Sequence, residues 1–181
     1  MNNLYCGLLD DFAPFVEEGS RIVIAYDLQE KEEGMATWRE LVFYKKGGKP
    51  TMEAVKKAII ADINKQTDEK IISGFKWNGI SVWLSEENQR NFAEAQRLAE
   101  SMPDTILPVR FKLGEDEEGN PVYHTFETAD ELTGFYVEAV SYINACLNEG
   151  WEQKDSIDLS VYEPYLVPQE EGKKSSKKKS K

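Results

Sequence analysis

The sequence predicts an α+β fold, a small domain of β-hairpins packed with three main helices. Three observations carry that prediction. Asn78-Gly79 lies between two short runs of alternating apolar residues, a long stretch opening at Thr128 repeats apolar residues at helical spacing, and two more helical stretches open near Thr51 and Ser85. Over residues 51–150 the order reads helix, hairpin, helix, hairpin, helix.

Residues 4–16 mix apolar and acidic residues around Pro14 and read as a short helix or an irregular arm packing Leu8, Leu9, Phe12 and Phe15. The runs 21–26 and 38–44 are strand-like. The charged stretch 27–37, with Gly34 inside it, fits an exposed hairpin loop. Lys45-Lys46-Gly47-Gly48-Lys49-Pro50 breaks the chain before the period changes. Met52, Val55, Ile59 and Ile63 then share one helical face, Thr51 is placed as N-cap, and Glu53 suits the positive end of the helix dipole. The end of this helix is expected near residues 68–70.

Asn-Gly tolerates the two positive-φ positions of a type I′ turn, whose twist matches its flanking strands, so a two-residue turn at Asn78-Gly79 fixes the register. Trp77 then faces Ile80 and Phe75 faces Val82, and these four share a face with Leu84. Lys76, Ser81 and Trp83 occupy the opposite face. Ser85 reads as the next N-cap, with Phe92, Ala95, Ala99 and Met102 as a thin inward stripe and Pro103 at or beyond the helix end. A second hairpin is predicted from runs 109–113 and 121–126, with an acidic tip, Glu115-Asp116-Glu117-Glu118. Thr128-Ala129-Asp130-Glu131 has the spacing of a capping box. Leu132, Phe135, Tyr136, Ala139, Val140, Ile143 and Leu147 form the broadest apolar face, with Gly150 as the expected stop. Residues 161–167 read as an extended arm and 168–181 as a disordered tail. The predicted division is therefore residues 1–50, a strand-rich region and candidate separate module; 51–155, the α+β domain; and 156–181, arm and lysine-rich tail.

Composition narrows the function classes. Four Trp, eight Tyr and eight Phe in 181 residues argue against disorder over most of the chain. The net charge is −11, but the six lysines of residues 173–181 hide a body with 16 basic against 33 acidic residues, or −17. Such a body repels nucleic acid and anionic membrane, so neither is an expected partner. No run is apolar enough to span a bilayer, and Met1-Asn2-Asn3-Leu4 lacks the opening of a secretion signal, so a cytoplasmic protein is expected unless a larger particle carries it. Cys6 and Cys146 form neither a disulfide framework nor a metal-ligand spacing.

Reactive constellations are sparse. His124, the one histidine, could serve as a general base, yet no motif places a nucleophile or fixed carboxylate beside it. Glu115, Asp116, Glu117 and Glu118 could offer oxygens to a hard cation but lack the alternating spacing of an EF-hand loop, so a solvated tip is the reading adopted. Lys46-Gly47-Gly48-Lys49 lacks the Gly-Lys-Ser/Thr order of a phosphate-binding loop. With 33 acids, carboxylate pairs at glycosidase separations arise by chance. No catalytic residue, metal or cofactor is assigned. Trp83, Trp38 and Trp151 are the interface candidates, since interfaces are enriched in tryptophan, with packing inside the chain as the competing explanation.

The stretch from Ile59 to Leu98, with Ala61-Asp62-Ile63-Asn64, Ser73-Gly74-Phe75, the aromatic hairpin and Ser85-Glu86-Glu87-Asn88-Gln89-Arg90-Asn91-Phe92, resembles an uncharacterised domain of phage and prophage proteins, often near tail or tail-fibre components. Tyr123-His124-Thr125-Phe126 and the Thr128 helix are similar to its closing portion, so the resemblance spans roughly residues 50–155. It implies a phage or prophage origin, a bacterial host cytoplasm or phage particle as location, and a structural or assembly role. No catalytic residue is carried over. The expectation is a non-enzymatic structural or protein-interaction protein with a protein partner or self-association. The alternative is a small hydrolase or ligand-binding protein using carboxylates and His124.

Overall fold

A computed structural model of the chain describes residues 3–46 and 48–166. The lysine-rich tail lies outside the described residues. The fold is α+β, with antiparallel sheets and hairpins, three long helices and a short fourth. It divides into two compact units, Met1–Ala61 with Ile157–Lys181, and Asp62–Ser156.

The first unit is built on a four-stranded antiparallel sheet of β1 (Leu4–Leu8), β2 (Phe15–Glu18), β3 (Arg21–Glu30) and β4 (Met35–Tyr44), in the order β1-β4-β3-β2. Five consecutive residues of β3, Ile22, Val23, Ile24, Ala25 and Tyr26, are buried, as a central strand covered on both faces requires. The expected helix or arm at residues 4–16 is instead two strands joined by a 3₁₀ turn, Leu9–Asp11. Pairing with distant strands decides this, since Tyr5 lies opposite Trp38 and Phe15 opposite Ile24. The expected loop at 27–37 shrinks to a short turn. β3 continues to Glu30 across a register shift after Tyr26, where Asp27 takes φ 56°, and Glu33 and Gly34 take φ 59° and 73° at the tip. The segment expected as an extended arm forms a 3₁₀ turn, Ser160–Tyr162, whose buried Tyr162 donates its hydroxyl to the Ala25 carbonyl at 2.8 Å, while Tyr165 stacks on Phe15 at 4.8 Å.

α1 (Met52–Gly74) begins in the first unit and ends in the second. Thr51 caps it, accepting from the Ala54 amide at 3.1 Å, and the helix runs past the expected end because Ile71 continues its buried face. In the second unit β5 (Phe75–Trp77) and β6 (Ile80–Val82) pair in the predicted register around Asn78 (φ 49°) and Gly79 (φ 80°). α2 (Glu86–Ser101) is capped by Ser85, which accepts from Asn88 at 3.3 Å. Its inward stripe is Phe92, Ala95 and Ala99; Met102, expected to point inward, follows the helix and is exposed. Pro103 opens a four-residue helix, α3 (Pro103–Ile106), where its missing N–H costs nothing.

β7 (Val109–Glu115) and β8 (Pro121–Phe126) form the second hairpin, with a register shift between Lys112 and Gly114. β7 also meets the end of β6, since the Trp83 amide donates to the Leu113 carbonyl at 2.7 Å. A Cβ on Gly114 would lie 2.3 Å from the Ser81 carbonyl oxygen, so glycine lets the two hairpins close. α4 (Ala129–Asp155) passes through Gly150, the expected stop. Gly150 is buried in the helix, and a Cβ there would lie 2.5 Å from Thr67 Oγ1. The residue serves close approach of α1 and α4, which run antiparallel with Tyr142 donating to the Lys70 carbonyl at 2.9 Å and Lys154 to Asn64 at 3.0 Å. Phe135 sits at the centre of the unit's core, within 5.0–5.2 Å of the Trp77, Phe92 and Phe126 rings.

Candidate functional site

His124 and Phe126 lie on the inner face of β8. The imidazole meets the Trp77 and Phe126 rings edge-on at 4.9 and 4.6 Å, and its Nε2 is 2.9 Å from Glu131 Oε1. Thr128 caps α4 as predicted, accepting from the Glu131 amide at 3.2 Å. The reciprocal half of the capping box is not made to Thr128. Glu131 Oε2 accepts from the Glu127 amide at 3.1 Å, and its other oxygen meets His124. The hydrogen bond to His124 holds the Glu131 carboxyl below its usual range, with partial burial opposing and the Glu127 amide adding to the fall. A carboxylate does therefore stand beside the histidine, but both its oxygens are engaged in joining β8 to the start of α4. The sequence signal for this contact is a capping-box glutamate, Glu131, seven residues after a strand histidine.

The acidic tip is organised by its own turn. Asp116 accepts from the Glu118 and Asn120 amides at 3.0 and 2.8 Å and from the Asn120 side chain at 3.1 Å, and the Asn120 contacts foremost hold its carboxyl below the usual range. Asn120 also meets Glu118 at 3.4 Å, and Glu115 pairs with Lys112 at 3.0 Å. Among the described residues no group of three His, Cys, Asp or Glu side chains is placed to hold a metal ion, and no helix is long and apolar enough to cross a membrane. A shallow groove of about 490 Å³ on α2 is lined by Arg90, Asn91, Ala93, Glu94 and Arg97. Arg97 there places two guanidinium nitrogens on Glu94, at 3.1 and 2.7 Å.

The three tryptophans singled out have different surroundings. Trp38 is only 8% exposed, lies edge-on to Phe12 at 5.9 Å and donates to Glu40 at 3.0 Å, so it belongs to the core of the first unit. Trp151, on α4, is 53% exposed. Trp83 is 39% exposed and carries the Lys112 ammonium 5.1 Å from its ring centroid. Beside it on the outer face of β7 and β8, Arg110 lies 4.2 Å over Tyr123, itself 49% exposed. Sequence reasoning named Trp83 but missed Arg110, Lys112 and Tyr123. The signal available was the alternation of both strands, which puts these three outward.

Comparison with the curated proteins and with the solved structures finds no match in either set. One family model matches residues 54–169, a span that runs from the first turn of α1 through α4 and past the Ser160–Tyr162 turn. Since that match covers more than half of the chain, the protein belongs to the family of the domain of unknown function DUF4376.

Proposed function

We propose that the protein is a non-enzymatic interaction or assembly component of phage or prophage origin, working in a bacterial host cytoplasm or as part of a phage particle. The observation that supports this reading most is the outer face of the two hairpins, where Trp83 and Tyr123 stay exposed although the same strands bury a full aromatic core beneath them. Large aromatic rings at a surface lose less freedom on binding than flexible chains and are favoured as interface anchors. The hydrolase alternative draws on His124, whose carboxylate neighbour is committed to a helix cap.

The test is binding of the purified full chain to the products of its neighbouring genes, with its mass in solution read by light scattering. A stable complex or a defined oligomer, weakened by Trp83→Ser at unchanged fold, is the expected result. A monomer that binds none of those products, or a Trp83→Ser variant that loses stability while keeping every association, overturns the proposal.

A further inference from the structure

We infer that the outer face of β6, β7 and β8 docks a carboxylate-bearing extended segment of a protein partner. The inference rests on the interaction reading above and adds the surface and the chemistry of the ligand. The strand pattern sends Lys76, Ser81 and Trp83 outward on the first hairpin and Arg110, Lys112, Tyr123 and Thr125 outward on the second. The Trp83–Leu113 hydrogen bond and the close approach at Gly114 bring the two hairpins edge to edge, so these side chains share one surface. In a chain of net charge −11 this face carries two cations set against aromatic rings and a third, Lys76, on the adjoining strand.

Charge decides the occupant. Among the described residues Arg110 has no carboxylate partner; its guanidinium rests on the Tyr123 ring, which leaves the N–H groups along its edge to hold a carboxylate with two parallel hydrogen bonds. Lys112 has one carboxylate partner, Glu115, and both members are well exposed, so an incoming carboxylate can displace it. Trp83 and Tyr123 add flat apolar area between the cations. A nucleic acid would need a broad basic field to offset its phosphates, and here the face ends in the acidic tip of residues 115–118 within an acidic body. A short segment carrying a few carboxylates and apolar side chains can meet both these cations and their rings without that field.

The test uses the full chain and three labelled probes followed by fluorescence anisotropy: a peptide of alternating Glu and Tyr, the same peptide with Gln for Glu, and oligo-dT. The Glu–Tyr peptide is expected to bind in a salt-sensitive manner, and the double variant Arg110→Gln, Lys112→Gln to weaken it by about tenfold or more, as loss of charge-assisted hydrogen bonds requires. Arg90→Gln, on the exposed face of α2, should leave binding unchanged, and the circular dichroism of each variant should match the parent. Equal affinity for the Gln peptide, tighter binding of oligo-dT, or indifference to the double variant overturns the inference. So does self-association of the chain lost in the double variant, which would assign the face to a second copy. If the chain binds a neighbouring gene product and the double variant binds it equally well, this surface fails while the interaction reading stands; a chain that binds neither probe nor product fails both.

Discussion

The two units differ in how their aromatic side chains are used. In the second, the Phe135 ring touches Trp77, Phe92 and Phe126, which come from β5, α2 and β8, so one side chain ties a hairpin, a helix and a second hairpin to α4. In the first, the buried residues are spread along β3 and the aromatic contacts are pairwise, Phe12 with Trp38 and Phe15 with Tyr165. A focused core concentrates stability in few positions, and a sheet distributes it. Phe135→Ala is therefore expected to cost about 5 kcal/mol, the upper end for a buried phenylalanine, and Ile22→Ala in β3 about 2 kcal/mol, the lower end for a buried isoleucine, by urea titration. Similar losses for the two would break the comparison.

Two glycines of α4 sharpen it within a single helix. Glycine inside a helix is destabilising by roughly 0.5–1 kcal/mol relative to alanine. At Gly134 an added Cβ meets nothing within 4 Å, so Gly134→Ala should raise stability by about that amount. At Gly150 the same methyl would press on Thr67, and Gly150→Ala should lower stability by about 1–3 kcal/mol, as overpacking does. Opposite signs in thermal melts support close packing of α1 on α4; a gain in both would return Gly150 to the role of a weak helix position. Adding Thr67→Ala to Gly150→Ala should recover part of the loss.

In the first unit the comparison turns on Tyr162, whose hydroxyl reaches a backbone carbonyl 137 positions earlier in the chain. Burial foremost, with Asp158 adding to it, pushes this phenol up to about 12 from an ordinary 10.0. The raised value means that its contribution is complete below pH 10.0 and is lost as pH climbs toward about 12. Tyr162→Phe should cost about 1 kcal/mol at neutral pH and flatten the alkaline limb of the stability profile. An unchanged alkaline limb would show that another group governs it.

Legibility in the sequence followed the reach of the contacts. The Asn78-Gly79 turn with the register of its hairpin, and the Thr51, Ser85 and Thr128 caps, depend on residues a few positions apart and are legible in the sequence, whereas the second hairpin is legible only as two runs, without its register shift between Lys112 and Gly114. β1 and β2 are not legible there, because Leu4–Leu8 becomes a strand only by lying along β4, and Phe15–Glu18 only by lying along β3. Gly150 misled for the same reason. A helix-stopping residue and a helix-packing residue look alike until Thr67 is placed against it. At the candidate surface, alternation showed Trp83 as outward, whereas the pairing of Lys112 with that ring depends on the meeting of two hairpins separated by α2.

An effect as small as that at Gly134 is expected for His124 and Glu131, where a local cap and a tertiary contact meet on one carboxylate. Both side chains are about a third exposed, 28% and 35%, so solvent screens the pair, and His124→Gln should cost about 0.5–1 kcal/mol near neutrality. The direction with pH follows from Glu131. Because its carboxyl is held below the ordinary 4.5, the unfolded chain takes up the proton first as pH falls; the stabilisation that Glu131 draws from its carboxylate contacts is present above 4.5 and is lost as pH falls through the lower native value. The stability gap between parent and His124→Gln should accordingly close as acid is added, while the Glu127 amide, which His124→Gln leaves in place, keeps part of the depression. A gap of constant size from about pH 7 to pH 2 would mean that the imidazole acts through its packing on Trp77 and Phe126 alone. In that case the contact between β8 and α4 would belong to the aromatic core and owe nothing to charge.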